Sequence, residues 1–234
     1  MKKIGIIGAM HVEVEALIHQ MEEKTCTRKA GMEFYEGRLC NRPVVVVQSG
    51  IGKVNAAICS QLLIDLFAVD ILINTGIAGA LDSRLRIGDI VLSEEAVYHD
   101  MVVPGYPIGQ VPGLAVHRFA ADQGLLETVL KVSAEVNADI HTYSGRVVSG
   151  DQFICEPDKK HWLRDEVGGT CAEMEGAAIA HVAWKNAVAF LIIRAISDQA
   201  DDQAELDYPA FEKKAAEHSV NLLLACIPQL DLVK

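Results

Sequence analysis

Short β-branched apolar runs, each ending near glycine and handing over to a helix-period segment, predict an α/β protein. The expected architecture is three layers, α/β/α, around a central, mostly parallel mixed sheet. Two further observations support that class. The alternation runs through all 234 residues with no Pro/Gly/Ser-rich linker, so residues 1–234 read as one domain. Half of the residues are apolar and 23% are charged, which is enough to bury a sizeable core and too apolar for a disordered chain.

The elements follow in order. Lys3 to Ile7 reads as a strand, ended by Gly8 and followed by an amphipathic stretch from His11 to Met21. Val44 to Gln48 is a second strand, followed by Gly50-Ile51-Gly52 and a helical segment from Val54 to Phe67. Ile71 to Asn74 is a third, which the glycine-rich Gly76-Ile77-Ala78-Gly79 is expected to turn. Ile90 to Leu92, Arg146 to Ser149 and Val188 to Ile193 are further strands, and a short one precedes Met174. Helical patterns cover about Leu125 to Asn137, Glu175 to Asn186 and Pro209 to Ile227; Phe211, Ala215, Leu222 and Cys226 fall on one face of the last. The longest loop-like stretch, Met101 to Pro112, holds Pro104, Pro107 and Pro112, and long loops in compact domains are often functional. In open α/β sheets ligands bind beyond the carboxyl ends of the strands, which is where chemistry is expected.

Charge and composition exclude several classes. With 21 basic and 32 acidic residues the net charge is −11, which argues against a sequence-independent nucleic-acid binder and against attachment to an anionic membrane. The longest unbroken apolar run, Ala187 to Ile193, is seven residues, far short of the roughly twenty that a spanning helix needs. Lys2 and Lys3 lead straight into a strand, so no signal peptide is expected. Cys26, Cys40, Cys59, Cys155, Cys171 and Cys226 show no metal-like spacing and read as reduced thiols of a cytoplasmic protein.

Two nucleotide motifs fail. A dinucleotide fingerprint starting at Gly5 needs glycine where Ile7 and Met10 stand, and a P-loop ending at Lys53 needs Ser or Thr where Val54 stands. The pair His99-Asp100 has no further ligand at metal spacing and reads as a local hydrogen bond. Neither a metal nor a cofactor is expected. Ser149-Gly150-Asp151 and Ser197-Asp198 do not form a nucleophile elbow.

Three acids at element ends carry the chemistry. Glu13 falls in the first turn of a helix, Glu175 where a short strand gives way to Gly176, and Asp198 after the most apolar strand. Each alone reads equally well as a helix cap. Together they would converge above the sheet if it is doubly wound, where mutual repulsion gives a fold little reason to gather them without a task. Carboxylates flanking a sugar suit glycosidic bond cleavage: one protonates the leaving group, another activates water.

Gly5 to Met10 with Glu13, Ser49 to Ala57, Asn74 to Gly79, Gly88 to Val91, Val148 to Ile154, Glu173 to Ala177 and Arg194 to Asp198 together resemble the nucleoside phosphorylase family. The resemblance runs in order from residue 3 to about residue 227 and implies that family's fold. It is strongest to the branch that hydrolyses 5′-methylthioadenosine, S-adenosylhomocysteine and 5′-deoxyadenosine to adenine and the 5′-substituted ribose. It implies Glu13 as the base that activates water, and Asp198, beside Ser197, as the acid at adenine N7. Glu175 would hold the ribose hydroxyls, with Met174 under the sugar; Ile154 would read the adenine edge and Phe153 stack on the ring. Ala78 and Gly79 would line the purine pocket, Arg194 would position water and carboxylates, and Met10, Ile51, Glu173 and Tyr208 would complete the substrate site. The relatives are dimers in which a neighbour's loop closes the 5′ pocket, here residues 101–112 with Tyr106. Ile77 stands where those relatives carry a serine, and the 101–112 loop is slightly shorter than theirs.

Within such a fold, phosphorolysis needs arginines for a dianion. The first glycine turn leads instead to His11, Glu13 and Glu15, with no arginine before Arg28. Hydrolysis is favoured. The alternatives are a futalosine-type nucleoside hydrolase, a phosphorylase, or a silent nucleoside-binding relative, which would be expected to lose the base or the acid.

Overall fold

The computed structural model describes residues 1–136 and 139–230. Ten strands and six helices follow in the order β1 (Ile4–Gly8), α1 (His11–Gln20), β2 (Glu22–Lys29), β3 (Met32–Leu39), β4 (Arg42–Gln48), α2 (Lys53–Phe67), β5 (Ile71–Ala80), β6 (Ile90–Tyr98), β7 (Phe119–Ala120), α3 (Gln123–Val136), β8 (Thr142–Ser149), α4 (Pro157–Asp165), β9 (Cys171–Glu173), α5 (Gly176–Lys185), β10 (Ala189–Asp198) and α6 (Ala204–Cys226). Asn137, the expected end of the third long helix, lies outside the described residues.

β1, β5 and β10 are buried almost throughout because helices cover both faces, which is why they are written as near-continuous aliphatic runs. Helices α1, α3 and α6 pack their apolar sides on one face, while α2 and α5 pack on the other. The result is the expected three-layer architecture. Two parallel groups make up the sheet: β4, β1, β5 and β10 in one, and β6, β8 and β9 in the other. Antiparallel pairs join the groups at β10–β6 and β5–β9. Strand β5 therefore pairs with β1, β9 and β10, and β5–β10–β6–β8–β9 closes into a ring. The mostly parallel mixed sheet expected from the sequence is thus present, and it closes on itself over part of its width.

Three local expectations change. Gly76–Gly79 does not turn; it continues β5 beside β10, in register from Gly76 opposite Arg194 to Ala78 opposite Ile196, with a slip only at the last pair, Gly79 and Asp198. Glycine is needed at position 76 because a Cβ there would overlap the Arg194 guanidinium and the Glu13 carboxylate. The hairpin β2–β3 went unread because β2, EEKTCTRK, is exposed along its whole length and has no apolar period. Phe211 is 37% exposed although Ala215, Leu222 and Cys226 are buried. The close-packed part of α6 begins at Ala215; the turns before it extend toward the cavity described next, which Tyr208 lines.

Candidate active site

A cavity of about 370 Å³ opens at the carboxyl ends of β1, β5 and β10, between the starts of α1, α5 and α6. Of the residues singled out from the sequence, Met10, Glu13, Ile51, Ala78, Gly79, Phe153, Ile154, Glu173, Met174, Glu175, Ser197, Asp198 and Tyr208 line it. Arg194 lies behind the wall, and Tyr106 is 44% exposed in the 101–112 loop, away from the lining. Gln152, Ile77, Ala9 and Ala172 also line the cavity. Of these, Gln152, Ile77 and Ala9 sit inside the quoted motifs, and their motif neighbours were the signal that could have found them.

Glu13 is placed by the tight β1–α1 junction, where Gly8 allows the helix to start at once: a Cβ there would meet Val14 and Glu13 at 2.7 and 2.9 Å. The Ala9 and Met10 amides donate to Glu13 Oε2 at 2.6 and 2.9 Å, and Ile77 N–H donates to Oε1 at 3.1 Å. Capping and convergence are therefore not alternatives, since Glu13 caps α1 and faces the cavity at once. Burial pushes its pKa up, opposed by the Arg194 charge and the three amides.

Arg194 is fully buried. Its Nη2 donates to Asn74 Oδ1 and Glu173 Oε2 and lies 3.6 Å from Glu175 Oε2. The carboxylate of Glu173 is committed as well, accepting the Ser149 hydroxyl, the Glu175 amide at 3.0 Å, the Gly176 amide at 2.7 Å and Arg194. Glu173 thus fastens Arg194 and the start of α5, and its donors leave it little to offer a ligand. Glu175 is the N-cap residue of α5, yet its side chain turns away from that helix, and Oε1 accepts Gly52 N–H at 2.8 Å. Burial, followed by the Glu173 charge, pushes its pKa up to about 7.

Asp198 ends β10 where the register with β5 slips between Ile196 and Asp198. Such a bulge re-aims a side chain at the end of a strand. Oδ2 accepts the Ser197 hydroxyl and Oδ1 the Ala200 amide, both at 2.8 Å. Burial raises its pKa; Ser197 and Ala200 oppose this, and Asp207 and Asp201 add to it. Phe153 and Tyr208 meet edge to face at 5.7 Å, and the Tyr208 hydroxyl donates to Met10 Sδ at 3.0 Å.

Four buried carboxylates, those of Glu13, Glu173, Glu175 and Asp198, thus line one cavity, and among the described residues no lysine or arginine lines it. Such a cavity suits a neutral ligand that receives protons, gives them up and develops positive charge. No described group of three or more His, Cys, Asp or Glu is arranged to hold a metal ion, and no described helix is long and apolar enough to cross a membrane.

Comparison with known proteins agrees with this geometry. A model of the Phosphorylase superfamily matches residues 3–228. The chain is 43% identical over 235 residues to a 5′-methylthioadenosine/S-adenosylhomocysteine nucleosidase of Geobacillus sp. (strain WCH70), covering 97% of this chain and 99% of the relative. It superposes on the nucleosidase of that name from Colwellia psychrerythraea 34H, solved with adenine, with a TM-score of 0.94, 37% identity and coverage of 98% and 96%. It also superposes on the futalosine hydrolase of Helicobacter pylori strain 26695, with a TM-score of 0.92, 30% identity and 98% of each chain covered.

Proposed function

Since the chain belongs to the Phosphorylase superfamily, we propose that it uses water rather than phosphate and hydrolyses the N-glycosidic bond of 5′-methylthioadenosine and S-adenosylhomocysteine. The observation that carries this reading is the cavity's charge: four carboxylates and no lining cation among the described residues. A phosphate dianion in that place would meet Glu13 and Glu175, whereas a water molecule and an oxocarbenium-like sugar gain from them.

On this reading Glu13 accepts a proton from water as its oxygen bonds to C1′ of the ribose. The C1′–N9 bond breaks, its electrons pass into the purine, and Asp198 delivers a proton to N7. Adenine leaves neutral, and the sugar is released as the 5-substituted ribose. Glu175 accepts from the ribose hydroxyls while Met174 packs below the ring. Phe153 stacks on adenine, Ile154 reads its edge, and Ala78, Gly79 and Ser197 border it. Met10, Ile51 and Tyr208 surround the 5′ substituent. Glu173 and Arg194 act by holding Glu175 and Glu13 in place.

The protein works as a homodimer in this proposal. Ile51, Val54, Ile58 and Leu66 leave an apolar stripe exposed on and beside α2, and Val102 and Tyr106 stand exposed in the 101–112 loop. A partner seated on that stripe would bring its own 101–112 loop to the 5′ end. All six cysteines are free, which supports a reducing, cytoplasmic setting.

Incubation with 5′-methylthioadenosine, with and without phosphate and with a chelator throughout, tests the reaction. Adenine and free 5-methylthioribose should form in both arms. A sugar 1-phosphate, or a requirement for phosphate, would make the protein a phosphorylase. Futalosine assayed in parallel decides between the two hydrolases that share this geometry.

A further inference from the structure

Lys53, rejected as a P-loop lysine, and Asp100, read as half of a local pair with His99, are in fact partners of each other. Lys53 Nζ donates to Asp100 Oδ2 at 2.5 Å and lies 3.6 Å from Asp151 Oδ2. The Lys53 amide donates to Asp151 Oδ1 at 2.9 Å, and the Asp151 amide donates to Asp100 Oδ2 at 3.0 Å. This triad is partly shielded, with the Lys53 and Asp100 side chains 23% and 19% exposed. Two glycines let the segments approach: a Cβ at Gly52 would meet Asp151 Oδ1 at 3.1 Å, and one at Gly150 would press on the buried His99 ring and the Asp100 carboxyl.

None of the three side chains lines the cavity. They join the Gly50–Lys53 turn, the end of β6 and the segment after β8, and two of these carry the site. The Gly52 amide, one residue before Lys53, donates to Glu175 Oε1. Gln152, Phe153 and Ile154, directly after Asp151, form one wall. A charged pair in a half-shielded place holds geometry better than it adds stability, because desolvation cancels much of its attraction.

We propose that Lys53, Asp100 and Asp151 form a positioning clamp that holds the Gly52 amide on Glu175 and the 152–154 wall against the cavity, so setting how tightly ribose is bound. The proposal rests on the nucleosidase reading of Glu175. Without the charge on Asp100, the Lys53 ammonium has only Asp151 to pair with and draws that carboxylate from the Lys53 amide. The Gly52–Lys53 turn then loosens.

The test compares Asp100→Asn, Lys53→Met and Lys53→Arg in the full-length protein, on 5′-methylthioadenosine and on its 2′-deoxy analogue. Asp100→Asn and Lys53→Met should each raise KM for the ribose substrate about tenfold, as expected for one charge-assisted contact. The turnover number should stay within about threefold. The penalty should shrink on the 2′-deoxy analogue, which lacks a hydroxyl for Glu175 to hold. Lys53→Arg, keeping the charge, should restore most of the affinity, and Tm should move little in any of the three. An unchanged KM, an equal penalty on both substrates, or activity lost only in step with Tm would overturn the clamp. Absence of adenine release by the wild type would instead overturn the nucleosidase reading, and the clamp with it.

Discussion

At one end of the cavity Glu13 and Glu175 share a buried guanidinium and four backbone amides, from Ala9, Met10, Ile77 and Gly52. At the other end Asp198 has one hydroxyl and one amide, with Asp201 and Asp207 as its charged neighbours. Burial raises all three acids. What opposes burial differs: a cation and amides act on Glu13, whereas like charges add to the rise at Asp198. Burial thus holds both ends above their ordinary range, countered by a cation and amides at Glu13 and by one hydroxyl and one amide at Asp198, where like charges add to the rise.

The most severe break of that pairing is to make either end unable to move a proton. Glu13→Gln and Asp198→Asn should each lower the turnover number by at least about a hundredfold, within the 10²–10⁴ that a positioned acid or base contributes. For Asp198→Asn, KM should change much less, because asparagine still hydrogen-bonds the purine. If Asp198 were only a cap, asparagine would serve nearly as well, and turnover within about threefold of wild type would remove it from the mechanism.

A smaller effect separates the two ends by pH. Activity should fall in acid as Glu13 gains a proton and in alkali as Asp198 loses one. Changing Asp201 and Asp207 together to asparagine should move the alkaline limb to lower pH and leave the acid limb in place; a shift of the acid limb instead would reverse the assignment.

Stability gives the third test. The folded protein holds the Glu175 proton up to about 7, against an ordinary value of 4.5. Proton binding by the native state exceeds that of the unfolded chain between those values. This contribution is thus complete below about 4.5 and is lost as pH rises through about 7. Glu175→Gln should raise Tm relative to wild type at pH 8, with the gain vanishing near pH 4.5, while ribose binding weakens. Equal Tm differences at both pH values would show that Glu175 is not strained by burial.

The smallest expected change lies outside both ends. Phe211→Ser, on the exposed start of α6, should alter stability by less than about 0.5 kcal/mol, as for other surface substitutions. A large loss would place Phe211 in a contact made by a second copy.

The same contrast explains what could be read before the structure. Strands β1, β4 and β10 and helices α1 and α2 were legible because burial on fixed faces imposes an apolar period. Strand β2 was not, being polar and exposed throughout, nor was α4, whose only buried residue is Leu163. The acids at strand ends were visible as residues, and thirteen of the fifteen singled out line the cavity. Their partners were not visible. That Glu173 is committed to Arg194 and α5, and that Lys53 reaches across to Asp100, depends on contacts between residues 21 and 47 positions apart. No local pattern encodes such a separation.

Closure of β5, β10, β6, β8 and β9 into a ring has a kinetic consequence. A ring cannot splay at an edge, so opening the sheet would break several ladders together and amounts to global unfolding. The amides of Ile73 and Ile193, central in β5 and β10, should exchange with solvent only on that slow timescale. Admission of nucleoside and escape of adenine must then use the segments that border the cavity outside the ring, the 152–154 wall and the first turns of α6. Turnover can be limited there without any movement of the strands that carry Arg194 and Asp198.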